Sequence, residues 1–73
     1  MENNYKNYLD DCLLAIIEKN KEARNEAERT KEPFAKGKSF AYYEVLDFLL
    51  NQAKIFEIIN ELKTEIKNHS PSF

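Results

Sequence analysis

The chain has 73 residues, a formal net charge of −2 and one cysteine. One domain with a thin core follows, since a chain this short buries only about 60% of the surface it exposes when unfolded. An internal disulfide is excluded, and the near balance of charge gives no overall attraction to nucleic acid or an anionic membrane.

Charged residues make up 33% of the chain against one Gly and two Pro, a composition that suits long helices and disfavours a β-rich fold. Small domains compensate for a thin core with disulfides, a metal or self-association. Cys12 has no cysteine to pair with, and His69 is the only histidine. Self-association is the remaining route.

The first predicted element is a helix over residues 5–31. Leu9, Leu13, Ile16, Asn20, Ala23, Ala27 and Thr30 step by three and four, the spacing of one helix face. The series turns from bulky to small midway. In EKNKEARNEAERTKE, residues 18–32, only Ala23 and Ala27 are apolar, which marks a face open to close approach by another helix backbone. Asn20 in this series either fixes register in the seam or, with slight rotation, sits at a wet rim.

The second predicted element is a helix over residues 33–68. Pro33 suits a first helical turn and disfavours helical geometry at Glu32, so the chain folds back there. The alternative start is Ser39, with Gly37 as a loop glycine. Phe34, Gly37, Ala41, Val45, Phe48, Gln52, Ile55, Ile59, Leu62 and Ile66 form a second three-four series. Folding at Glu32 sets Ala27 opposite Gly37 and Ala23 opposite Ala41, so small faces small beside the turn. Residues 69–73 read as a frayed tail.

Helix 2 is apolar over more than this seam. Tyr42, Tyr43, Leu46, Leu49, Leu50, Ala53 and Phe56 lie beside or behind it, and one partner helix covers only one stripe. These seven are the expected association surface. Either a second hairpin completing a four-helix bundle or a different protein would cover it. Lys36, Lys38, Asn20 and Glu44 are placed on its polar rim.

Catalytic chemistry needs a base, a nucleophile or a metal held in a concave site. Cys12, between Leu9 and Leu13, reads as a small buried hydrophobe. Glu44, Asp47, Glu57, Glu61 and Glu65 lack the Glu-x-x-His pairs of a di-iron bundle. No catalytic residue, metal site, cofactor or small-molecule substrate is expected. Lys19, Lys21, Arg24, Arg29, Lys31, Lys36 and Lys38 gather near the turn. Glu18, Glu22, Glu26, Glu28 and Glu32 interleave with them, which argues against a phosphate-binding surface. No run approaches the roughly 18 apolar residues of a membrane span, and MENNYKNYLDD lacks the features of a secretion signal. A cytoplasmic setting is expected.

PFAKGKSFAYYEVLDFLLNQAKIF is similar to a pattern in small, uncharacterised bacterial and phage-encoded proteins. A Phe-x-x-Gly-basic step leads into Ala-Tyr-Tyr-Glu-x-Leu and then Gln-Ala. Here these positions are Phe34, Gly37, Lys38, Ala41, Tyr42, Tyr43, Glu44, Leu46, Gln52 and Ala53, about a third of the chain. The resemblance implies a helical hairpin and a home on a mobile element, with no known activity.

The expectation is an all-α protein: a two-helix antiparallel hairpin that dimerises into a four-helix bundle. It would act without catalysis as a protein–protein interaction module, a small regulator or inhibitor of an unidentified target. The alternatives are a dimeric RNA- or DNA-binding regulator and a structural subunit of a larger complex.

Overall fold

The computed structural model describes residues 4–71, and they form an all-α helical hairpin. Helix α1 spans Asn4–Thr30 and helix α2 spans Pro33–Ile55; the two pack against each other along their length. A single 3-10 turn at Ile59–Glu61 and a short helix α3, Thr64–Lys67, follow. The molecule measures 46 × 21 × 16 Å, with a radius of gyration of 13.4 Å. A compact chain of this length would have about 11 Å. The hairpin is therefore a long rod with much of each helix at the surface.

The turn between the helices follows from local chemistry. Lys31 takes a left-handed conformation, φ 56°, and its N–H donates to the Ala27 carbonyl at 2.9 Å, closing the last turn of α1. Thr30 Oγ1 donates back to the Glu26 carbonyl and accepts the Glu32 N–H at 3.3 Å. Glu32 is extended, as the residue before a proline prefers, and Pro33 opens α2.

Helix α2 does not run on to Asn68 as the apolar series implied. It stops at Ile55, where Glu57 adopts φ 61°. The Glu57 N–H donates to the Lys54 carbonyl and the Ile58 N–H to the Ala53 carbonyl, the paired bonds of a Schellman stop. No glycine marks the position, so the end has no signature in composition. The stop turns the chain back over the open end of the hairpin. Leu62 and Ile66 there join Leu13, Ile17, Leu46, Leu50 and Ala53 in one core.

The seam of α2 also differs from the expected one. Its buried residues are Ala35, Ser39, Leu46, Leu50 and Ala53. Gly37 and Ala41 are exposed, and no atom outside its own stretch of helix lies within 4 Å of where a Cβ on Gly37 would stand. The principle of small residues beside the turn holds with other members: the tight end buries Ala23, Ala35 and Ser39, with Ala27 half-buried. The inner series prevails because it places Leu46, Leu50 and Ala53 where the returning Leu62 and Ile66 can close over them. The series Phe34, Gly37, Ala41, Val45, Phe48 has no such cover.

Candidate functional site

Helix α2 carries apolar residues on two opposite sides, and α1 covers only one. Buried Leu46 and Leu50 face inward, while Phe34, Val45, Phe48 and Ile55 are 81%, 48%, 60% and 69% exposed. With Ala41 these four form an outer stripe, interrupted by Asn51 and Gln52 between Phe48 and Ile55, in which Phe34, Ala41, Phe48 and Ile55 recur every seven residues. At 1.5 Å per residue the stripe is about 32 Å long. Lys38 lies along one edge; Glu44 and Asn51 lie along the other.

Near the open end a shallow cavity of about 160 Å³ is lined by Leu9, Leu13, Leu49, Gln52, Ala53, Phe56, Ile58 and Leu62. Its wall is apolar except for Gln52. Leu9 and Phe56 are both substantially exposed there, which widens the apolar surface from α2 toward α1.

At the turn end a groove of about 650 Å³ runs between the helices. Ala27, Gly37 and Phe40 give it an apolar floor; Arg24, Lys31, Lys36 and Glu28 supply charge of both signs. Lys38, at the same end, reaches across the hairpin to Glu26 at 3.9 Å. The basic cluster is thus partly neutralised within the molecule.

The expected association residues divide between core and surface. Leu46, Leu50 and Ala53 are buried inside the hairpin, which removes them from any outward-facing surface. Leu49, Tyr42 and Tyr43 are half-buried, and the Tyr43 ring lies 6.0 Å from that of Phe40. Phe56 is exposed. Of the residues placed on the rim, Lys36, Lys38 and Glu44 are exposed, but Asn20 is 1% exposed and belongs to the core face of α1. It lies in phase with Leu13 and Ile17, so the slight rotation that would wet it does not occur. Cys12 is half-buried.

Two polar residues acquire roles that the spacing analysis missed. Asp10 is buried; it accepts a hydrogen bond from Lys6 Nζ at 2.7 Å and one from the Lys63 N–H at 3.2 Å. The Lys6 bond holds its carboxyl below the ordinary value of 3.8, against the opposing effect of burial. The signal was present in phase: Asp10, Leu13, Ile17 and Asn20 form a three-four series of their own. His69, expected in a frayed tail, is half-buried beside Asp47, Leu50, Lys54 and Ile59. Burial lowers its pKa from 6.5, helped by the nearby charges of Lys21 and Arg24. Of the expected tail, residues 72–73 lie outside the described residues.

Among the described residues no three His, Cys, Asp or Glu side chains stand close enough to hold a metal ion, and no helix is long and apolar enough to cross a membrane. The chain matches no known protein family, no curated protein and no solved structure.

Proposed function

We propose that this protein is a non-enzymatic protein–protein interaction module, a small regulator or inhibitor that works in the cytoplasm by occupying a surface of its target. One observation carries this reading: the outer stripe of α2, with Phe34, Val45, Phe48 and Ile55 exposed on a helix whose other side is already packed. Soluble monomers rarely leave a large apolar patch in water, and each large side chain left there forgoes about 1.5–3 kcal/mol. Occupation of a surface needs complementary shape and a few aromatic anchors, and no catalytic group. The near-neutral turn end, with Lys38 paired to Glu26, favours this reading over nucleic-acid binding. That the protein is carried by a phage or other mobile element rests on the resemblance of residues 34–53 alone.

The test is site-specific photo-crosslinking in producing cells. A benzophenone amino acid at position 45 or 48 should give discrete crosslinked species, and one at the exposed position 18 of α1 should not. Absence of crosslinks from both outer positions would overturn the proposal.

A further inference from the structure

We infer that the groove at the turn end binds a small organic anion with an apolar body, an alkyl or aryl carboxylate. Lys31 and Lys36 hold its charge, and its body lies on Ala27, Gly37 and Phe40. This goes beyond the interaction reading and does not depend on the outer stripe of α2. The molecule is held there as an effector and is not converted.

The groove has the size and make-up of a small-molecule site. Its volume of about 650 Å³ falls within the roughly 300–1,000 Å³ of such sites, and its apolar floor carries a few charged groups at the edges. Arg24, Lys31 and Lys36 against Glu28 leave an excess of positive charge on its walls. Lys31 and Lys36 stand on either side of the turn, and among the described residues neither makes an ion pair. The turn end as a whole is near neutral, which disfavours a polyanion. A single carboxylate needs only the groove's own lysines.

Ser39 adds an observation of a different kind. It is 2% exposed, it lines the groove, and its hydroxyl has no hydrogen-bond partner in the hairpin. A helical serine can bond back to the carbonyl one turn earlier, and a buried hydroxyl left without a partner costs free energy. Ser39 follows Lys36 by one turn on the same helix, so one carboxylate reaches both. Turned about its Cα–Cβ bond toward the groove, the hydroxyl donates to that carboxylate beside the two ammonium groups.

Gly37 keeps the site open. Its backbone is ordinary helix, without the positive φ that favours glycine, and nothing outside its own stretch of helix lies within 4 Å of where a Cβ would stand. Neither strain nor close packing in the hairpin therefore calls for glycine, which weakens a helix relative to alanine. Gly37 lines the groove, so a side chain there would stand in the space that the ligand's body takes.

Titration of the isotope-labelled full chain with sodium decanoate, below micelle formation and followed by amide NMR shifts, tests the inference. Saturable shifts are expected at residues 24–31 and 36–40. Decylammonium, of the same length and opposite charge, should bind at least roughly tenfold more weakly. Replacing Lys31 and Lys36 together by Gln should remove most of that preference. Gly37→Leu should lower decanoate affinity at least roughly tenfold without lowering the melting temperature, because leucine favours the helix and its Cβ meets no neighbour. Ser39→Ala should weaken binding roughly tenfold while stability stays the same or rises, a split that a merely structural serine would not give. No saturable shift up to millimolar decanoate overturns the inference, and so do shifts confined to residues 45–55 or a Gly37→Leu chain of unchanged affinity. A benzophenone at position 36 that crosslinks a protein while decanoate fails to bind assigns the groove to a polypeptide partner and overturns it as well. Crosslinks from positions 45 and 48 bear on the interaction reading alone, so either reading can fall without the other.

Discussion

Asp10 and Lys63, 53 residues apart in sequence, meet through a 3.2 Å hydrogen bond from the Lys63 N–H to Asp10 Oδ1. Lys63 is the N-cap residue of α3, so this bond fastens the returning C-terminal segment to the first helix. The same carboxylate holds Lys6 through its other oxygen at 2.7 Å. A buried charge is tolerated there because both of its oxygens are engaged.

Asp10→Ala should destabilise the protein by about 1.5–3 kcal/mol, the cost of losing charged hydrogen bonds at a buried site. Lys6→Ala should cost about 1–3 kcal/mol as well, because it leaves the buried Asp10 carboxylate without its ammonium partner. Urea unfolding followed by circular dichroism measures both. In the Asp10→Ala variant, amide exchange at residues 62–67 should also rise more than exchange in the middle of α1.

Stability should fall in acid in two stages. His69 is lowered from 6.5 in the folded state, so the unfolded chain takes up its proton first. Its contribution is complete above about pH 6.5 and is lost as pH falls through the lower folded value. Asp10 is lowered from 3.8 by its bond to Lys6, so its contribution holds above that value and disappears as pH falls through the folded pKa. Melting temperature against pH should therefore show a first decline starting near neutrality, which His69→Gln removes. A second decline at the acid end should be removed by Asp10→Asn. An unchanged first decline in His69→Gln would assign it to another group.

Glu57→Gly should stabilise the protein by about 0.5–1 kcal/mol. Glu57 sits at φ 61° in the Schellman stop, a conformation that costs an L-residue with a Cβ and costs glycine little. The entropy that glycine adds to the unfolded chain offsets part of the gain. Thermal melting of the variant is the measurement, with Lys54→Ala, in the last turn of the same helix, as a control expected to change little.

The hairpin was legible because its turn is written in strongly constrained residues: Pro33, the residue before it, and the change from bulky to small spacing in α1. The end of α2 was not legible, because Glu57 occupies a position usually marked by glycine. Without that stop, Ile59, Leu62 and Ile66 read as further turns of the same helix. The choice of face on α2 followed from the same gap. Two three-four series run down that helix, and only the returning Leu62 and Ile66 select the one through Leu46 and Leu50. The series through Phe34, Ala41 and Phe48 was visible in the spacing, and its exposure makes it the candidate surface. Asp10 was hidden because its bond to Lys63 depends on that same return of the chain.

The returning segment should therefore behave as core. Ile66 is fully buried although it belongs to a helix of only four residues near the end of the described chain. Ile66→Ala removes a side chain enclosed with Leu13, Ile17, Leu46 and Leu50, and should cost about 2–4 kcal/mol. The neighbouring exposed Glu65→Ala should stay within about 0.5 kcal/mol. A domain of this length holds only about 4–11 kcal/mol in total, so the first loss should be plain in the urea midpoint. If Ile66→Ala unfolds at the same urea concentration as the parent protein, the last turn is not part of the cooperative core, and the Asp10–Lys63 bond cannot be its anchor.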